Sequence, residues 1–338
     1  MKECVLYEPT EKGGSVRCKA CSHRCIIADG KRGICGVRQN RAGKLYLLVY
    51  DKVVAMHMDP MEKKPLYHFL PGTSIMSIGT VGCNFRCDFC QNWEISQAPK
   101  NDGPVYGENV KASEIVSKAK LNGCSGIAYT YNEPAIFIEF AHDVAMLARA
   151  EGLKNVYVSN GYETEEALKY MRPYIDAINI DLKSFSDDFY RKLCGARLQP
   201  VLDTIRRAKD MGFWTEITTL VIPGKNDSDA ELKQIAEFIA SVDKSIPWHI
   251  SRFFPMYKML DLPQTSMASL LRAYEAGKRA GLEYVYVGNI PDEKYERTFC
   301  PKCRKLVIDR AWHAGKVKID LDGDKCPGCS TLVEGVFR

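Results

Sequence analysis

No apolar run in this 338-residue chain approaches the ~18 residues of a membrane-spanning helix. The first residues, MKECVLYEPTEKGG, also lack the apolar stretch of a secretory leader. A soluble, cytoplasmic protein with no membrane partner is expected. Sequence repeats of the solenoid kind are absent as well. Charge of one sign is scarce, with a net of only +5. The excess sits in residues 1–50, where ten Lys or Arg face four Asp or Glu, which leaves the rest of the chain at −1. That balance argues against a nucleic-acid partner, which needs a more basic and better striped surface. A solvated basic face is the plain reading, and a docking surface for an acidic partner or phosphate is the other.

Cysteine, by contrast, is abundant. Fourteen occur in the chain, and a reducing compartment does not favour disulfides. Eleven fall into three sets: Cys18, Cys21, Cys25 and Cys35; Cys83, Cys87 and Cys90; Cys300, Cys303, Cys326 and Cys329. Cys4, Cys124 and Cys194 stand apart. Thiolates set this closely point to metal or iron–sulfur sites.

These sets divide the chain into a Cys-rich module (1–73), a main body (74–290) and a Cys4 module (291–338). The first is loop-rich, with two short strands expected within 45–58. In the main body short apolar runs alternate with amphipathic segments. Strands are expected at Ser74–Gly79, Gly126–Thr130, Val156–Ser159, Ala177–Leu182, Thr215–Val221 and Trp248–Phe253. Helices are expected at 111–122, 134–151, 164–171, 199–211, 228–241 and 266–280, with Gly123, Gly152, Gly212 and Gly281 closing four of them. Six βα units argue a parallel sheet with helices outside. Each strand ends in polar residues, which describes a barrel mouth better than a single switch point. The expected fold is therefore α/β, a partial (β/α)6 TIM-like barrel with cysteine-rich metal-binding modules at both ends.

Cys83, Cys87 and Cys90 have CxxxCxxC spacing. Three thiolates on one loop can hold three corners of a cubane cluster and leave the fourth iron open to a small molecule. A zinc knuckle, or a cluster completed by Cys124 or Cys194, is the alternative. The three cysteines, with the aromatic Phe89 before the third, resemble the radical S-adenosylmethionine (SAM) enzymes. Tyr131-Asn132-Glu133-Pro134 stands where that family's SAM-amine motif ends the second strand, without its glycines. Ser159-Asn160-Gly161, Asp181-Leu182-Lys183 and Leu220-Val221-Ile222-Pro223-Gly224 resemble segments of pyruvate formate-lyase activating enzyme. Over the whole chain, Gly33-Ile34-Cys35-Gly36, Lys63-Lys64-Pro65-Leu66-Tyr67-His68-Phe69 and Cys90-Gln91-Asn92-Trp93-Glu94-Ile95-Ser96 are similar to AmmeMemoRadiSam-system radical SAM enzymes.

The resemblance implies an enzyme with a 4Fe–4S cluster and SAM as cofactors. It also implies an external electron donor such as ferredoxin or flavodoxin, and the two other proteins of that system as partners. Asn132 falls in the SAM-amine motif, Glu133 is the candidate acceptor for the SAM ammonium, and Ser159, Asn160, Lys183 and His249 are candidates for its carboxylate and ribose. Each has a duller alternative: a helix N-terminal residue for Glu133, a turn for Asn160, a buried Asp181–Lys183 ion pair, a core histidine for His249.

The terminal set Cys300, Cys303, Cys326 and Cys329 reads as a zinc ribbon or rubredoxin-like knuckle, with zinc the expected occupant. Cys18, Cys21, Cys25 and Cys35 fit either zinc or a second iron–sulfur cluster, and Cys4 could replace one of them. Both modules are expected to cover the barrel mouth.

Overall fold

The computed structural model describes residues 1–11, 13–311 and 316–338. Its centre is an eight-stranded sheet: β1 (Ala55–Pro60), β2 (Ser74–Gly79), β3 (Gly126–Tyr129), β4 (Lys154–Ser159), β5 (Ala177–Asp181), β6 (Trp214–Val221), β7 (Trp248–Arg252) and β8 (Val285–Gly288). Neighbours in the sheet are neighbours in the chain, from β1 at one edge to β8 at the other. β1 is antiparallel to β2, and β2 to β8 are parallel. Strand order never reverses, so the arrangement is not doubly wound. All six expected strands are present, β8 is an addition, and β1 overlaps the second strand expected within 45–58 but joins the main sheet. β8 has only four residues, and β1 carries Met56, His57 and Met58 at partly or fully exposed positions. Neither has the buried, β-branched run that marks a central strand.

Between the parallel strands lie α1 (Ala112–Leu121), α2 (Ile138–Ala150), α3 (Glu165–Met171), α4 (Leu198–Asp210), α5 (Asp229–Val242) and α6 (Met267–Arg279). Thr164, Ser228 and Ser266 cap α3, α5 and α6 by accepting a backbone N–H from the first turn. Helix α5 shows how the pattern works: Leu232, Ile235, Ala236 and Ile239 are buried, one face of a 3.6-residue period.

The N-terminal module packs on the loops that follow β2 and β4. Ser22 N–H donates to the Tyr162 carbonyl (2.8 Å), and a His23 ring nitrogen lies 2.9 Å from the Asn84 carbonyl. Arg38 and Glu139 of α2 form a buried ion pair at 2.5 Å across the same contact.

The terminal module sits at the opposite end of the sheet. Its strands Thr298–Phe299, Leu306–Ala311 and Lys316–Ile319 pair antiparallel. Val307, Ile308 and Val333 pack with Tyr67, Tyr284 and Tyr286, at the start of β8. The expectation that both modules cover the mouth is therefore corrected for this one. A buried polar network holds it at the N-terminal halves of the strands. Glu216 accepts from the backbone N–H groups of Tyr67 and His68 (both 2.9 Å), Trp214 Nε1–H (2.9 Å) and His249 Nε2–H (2.6 Å).

His68 makes this network pH-sensitive. Its Nδ1–H donates to the Glu334 carbonyl (2.6 Å) and its Nε2 accepts from the Tyr286 hydroxyl (2.5 Å), the pattern of a neutral ring. Burial, the largest cause, lowers its pKa to about 4 against 6.5 for a free histidine. The unfolded chain then binds the extra proton between those values, so this contribution is complete above pH 6.5 and lost as pH falls towards 4. A 2.5-unit difference corresponds to about 3 kcal/mol. Glu216 acts in the same sense: burial opposes its charge, but the bonds from His249 and Trp214 bring its pKa below the usual value. Its contribution is lost as pH falls through that lowered pKa. Denaturant titrations at pH 7 and pH 4.5 should show the loss in the wild type and a smaller one in His68→Gln. Equal losses in both would remove His68 from this account.

Candidate functional site

The CxxxCxxC loop leaves the C-terminal end of β2. Gly82 precedes it with φ +95°, and a Cβ there would stand 2.8 Å from the Cys35 carbonyl oxygen and from Val37, so only glycine fits. Asn132, from the loop after β3, braces the same turn by donating to Thr80 Oγ1 (3.0 Å) and to the Gly82 carbonyl (2.9 Å). On the far side, Arg86 N–H and Asp88 N–H donate to the carbonyls of Cys194 and Leu193, both at 2.9 Å. The loop is thus clamped between the connections that follow β3 and β5.

Cys83 and Cys87 are buried and Cys90 is half-buried. Burial raises the Cys83 and Cys90 thiols above the ordinary range, and the Cys87 thiol is raised by the Cys194 thiol against it and by burial. Such thiols give up their protons only to a positive metal centre.

Glu133 lies beneath this loop, fully buried. Its carboxylate accepts from Ala135 N–H (3.0 Å), Asn160 N–H (2.8 Å) and the Ser159 hydroxyl (3.1 Å). Burial and the neighbouring Glu163 raise its pKa well above the usual value. Glu163 is raised too, by burial, and its own carboxylate oxygens have no hydrogen-bond partner among the described residues. Two buried carboxyls this close disfavour each other's ionisation. The sequence reading gave Glu133 to an incoming ammonium. The structure instead shows its oxygens bonded inside the fold, where they set the Ser159–Asn160 turn. That turn aims Asn160 at the cluster loop, with Nδ2 donating to Asn84 Oδ1 (2.7 Å) and 3.8 Å from Cys83 Sγ.

Asp181 and Lys183 also reach the loop. They form an ion pair at 2.7 Å, and the Lys183 ammonium stands 5.9 Å from the Phe89 ring centre. Burial works against the Lys183 charge, but Asp181, Cys87 and Cys194 outweigh it and raise its pKa well above the usual lysine value. Phe89 is buried against Phe189, ring centres 5.8 Å apart. His249 is not part of this group. It lies near the start of β7, and its Nε2–H is committed to Glu216 in the network under the terminal module.

Two features fit a cluster at Cys83, Cys87 and Cys90. Asn84 Nδ2, on the residue after Cys83, is a buried donor with no hydrogen-bond partner among the described residues, and a cluster sulfur could accept from it. The second is that these three sulfurs are not drawn together, among the described residues, as a single ion would draw them. Among the described residues, only Cys300, Cys303, Cys326 and Cys329 bring their ligand atoms within 4.8 Å of one another. Their sulfurs lie 3.5 Å (Cys300–Cys329) and 3.6 Å (Cys303–Cys326) apart. A tetrahedral zinc with bonds of 2.3 Å needs edges of about 3.8 Å. The terminal set therefore fits one ion, and the Cys83 loop does not.

A family profile described as the radical SAM superfamily matches residues 77–239. The uncharacterized protein MJ0808 of Methanocaldococcus jannaschii is 42% identical over 339 residues, the full length of both chains. The chain belongs to the radical SAM superfamily. A putative glycyl-radical enzyme activating enzyme of the same organism, MJ1632, is 25% identical over 200 residues, 58% of this chain and 74% of its own. Among solved structures, a radical SAM methyltransferase from Sphaerobacter thermophilus is similar in fold, with TM-score 0.52 and 14% identity. That match covers 84% of this chain and 76% of the other.

Membership of the radical SAM superfamily implies a 4Fe–4S cluster and SAM. Sequence reasoning weighed Cys194 as a further ligand of this radical SAM protein, and it lies against Cys87. It gave no role to Asn84, which bridges Cys83 and Asn160, or to Tyr131, which takes the left-handed backbone (φ +70°) that a glycine would adopt. Tyr131 is held there by its hydroxyl, which donates to Asp59 (2.9 Å). The missing glycines of the motif were the one available signal for it.

Proposed function

We propose that this radical SAM protein binds SAM at a 4Fe–4S cluster held by Cys83, Cys87 and Cys90 and abstracts hydrogen from a substrate at the C-terminal end of a partial barrel. When bound, cluster and SAM supply a one-electron reductive cleavage that gives a 5′-deoxyadenosyl radical. The observation that carries the reading is the convergence of the CxxxCxxC loop with Asn160, Asp181 and Lys183 from the ends of two further strands or their following turns. Asp181 and Lys183 present a carboxylate and an ammonium for the polar groups of SAM. Glu133 and Ser159 position Asn160, and Phe89 supplies an apolar wall that helps exclude water.

The test is anaerobic reconstitution with iron and sulfide, reduction, and addition of SAM. 5′-Deoxyadenosine is the expected product, and its absence from a cluster-replete, reduced protein would refute the proposal. Glu133→Gln presents an amide N–H where the carboxylate now accepts. A misplaced buried donor costs about 1–3 kcal/mol, so the SAM dissociation constant should rise roughly tenfold with iron content unchanged. Unaltered affinity in that variant would leave Glu133 without a role in the site.

The motifs over the whole chain support a reading of the protein as one of the AmmeMemoRadiSam-system enzymes. Its partners are then the two other proteins of that system and a ferredoxin or flavodoxin. The terminal set is a structural zinc ribbon. With only the N-terminal module beside the mouth, the substrate is a small molecule or a segment presented by a partner. The likeness to MJ1632 favours a second reading, an activase that leaves a glycyl radical on another protein. A persistent glycyl-radical signal on a partner would select the activase. Deuterium passing from a labelled small molecule into 5′-deoxyadenosine would select the first.

A further inference from the structure

Cys18, Cys21, Cys25 and Cys35 line one cavity, together with Arg38 and Asn84. Their thiols are free. Among the described residues, no three of them bring their sulfurs within 4.8 Å of one another, and the same is true of Cys83, Cys87 and Cys90. The ribbon shows what this fold does with a one-ion site: its four sulfurs close up. A cubane binds each thiolate to a different iron, so its ligands stand apart around a common centre.

Arg38 supplies an independent observation. The side chain is 2% exposed. Its Nε–H donates to the Ile136 carbonyl (3.0 Å) and its Nη2–H to Glu139 (2.5 Å). Nη1 is buried with no hydrogen-bond partner among the described residues, on a residue that lines the cavity. A guanidinium N–H left unpaired in the interior is costly, and nearly all such groups in folded proteins find an acceptor. An anionic iron–sulfur cluster in the cavity provides one, because its sulfurs accept hydrogen bonds from the protein.

We propose that Cys18, Cys21, Cys25 and Cys35 hold a second 4Fe–4S cluster, closed by four thiolates, and that Arg38 Nη1–H donates to one of its sulfurs. The centre is a neighbour of the Cys83 loop, because Asn84 belongs to that loop and also lines the cavity. All four irons carry protein ligands, so this centre takes up and returns single electrons without binding SAM. The inference goes beyond the SAM chemistry proposed above and stands without it.

Metal analysis of the anaerobically reconstituted protein tests it. About eight irons and about one zinc per chain are expected. About four irons with about two zincs would overturn the proposal. The Cys83→Ala/Cys87→Ala/Cys90→Ala triple variant separates this claim from the SAM reading. It should keep about four irons and, once reduced, a paramagnetic resonance signal that SAM does not alter. A triple variant without iron would overturn the second cluster whatever the wild type does with SAM. If the SAM reading alone is wrong, the triple variant matches the wild type in iron content. In the triple-variant background, Arg38→Lys keeps a cation beside Glu139 and removes Nη1. Loss of an N–H···S bond should shift the midpoint potential of the remaining signal to a more negative value. An unchanged potential with iron retained would overturn the Arg38 contact.

Discussion

Replacing Cys83, Cys87 or Cys90 singly with alanine is expected to reduce 5′-deoxyadenosine formation to background while the terminal ribbon keeps its metal. The loop offers three thiolates, and nothing else in it can substitute as a strong iron ligand. Cys194 lies against Cys87, but its backbone is tied to Arg86 and its thiol is fully buried. It is therefore poorly placed to take over from Cys83 or Cys90. The ribbon is insulated from the change because it sits at the other end of the sheet, with its own four sulfurs already drawn together. Product analysis by chromatography, alongside zinc determination, reads both halves of the expectation. Any one of the three variants still cleaving SAM would mean that another set of cysteines carries the reaction.

Arg310→Met should destabilise the protein by about 3–5 kcal/mol, as expected when one partner of a buried charge pair is removed. Arg310 is 1% exposed. It donates to the Glu296 carbonyl (2.8 Å), Thr298 Oγ1 (2.8 Å) and the Tyr67 carbonyl (2.5 Å), and its guanidinium lies 4.4 Å from the Tyr67 ring centre. Its closest carboxylate is Glu62, at 3.9 Å and also buried. Burial already raises the Glu62 pKa, with Arg310 opposing that rise. Methionine fills much of the volume but leaves three acceptors and one carboxyl without their partner. Chemical denaturation should show the loss, and adding Glu62→Gln to the variant should recover part of it. A loss below about 1 kcal/mol, the range of exposed pairs, would mean that the ribbon is not anchored through this residue.

Much of this arrangement was readable from local pattern. The alternation of buried runs with amphipathic segments marked six of the seven parallel strands, because a strand covered on both faces needs a continuous apolar stretch. The polar residues after those strands identified one end of the sheet as the business end. The rest depended on contacts between residues distant in the chain. Met56, His57 and Met58 fall in an expected strand, but their place at the edge of the central sheet comes from pairing with Ile78, Ser77 and Met76. His249 looked like a mouth residue because its strand ends there, yet it stands second in β7 and meets Glu216 and Tyr67 instead. Glu133 was legible as a buried acid after a strand, but its three donors come from Ala135, Ser159 and Asn160, and no local rule specifies that geometry. Arg38, three residues after Cys35, gave no signal beyond being a charge in an apolar, cysteine-bearing stretch.

Electron–nuclear double resonance on the reduced triad cluster tests the central claim most directly, using SAM labelled with 15N at the amine or 17O at the carboxylate. The reduced protein, with Cys18, Cys21, Cys25 and Cys35 replaced if their signal overlaps, should show hyperfine coupling to both labels. That result would place the SAM amine and carboxylate on the iron that Cys83, Cys87 and Cys90 leave open. A cluster signal with no coupling to either label at saturating SAM would contradict the account.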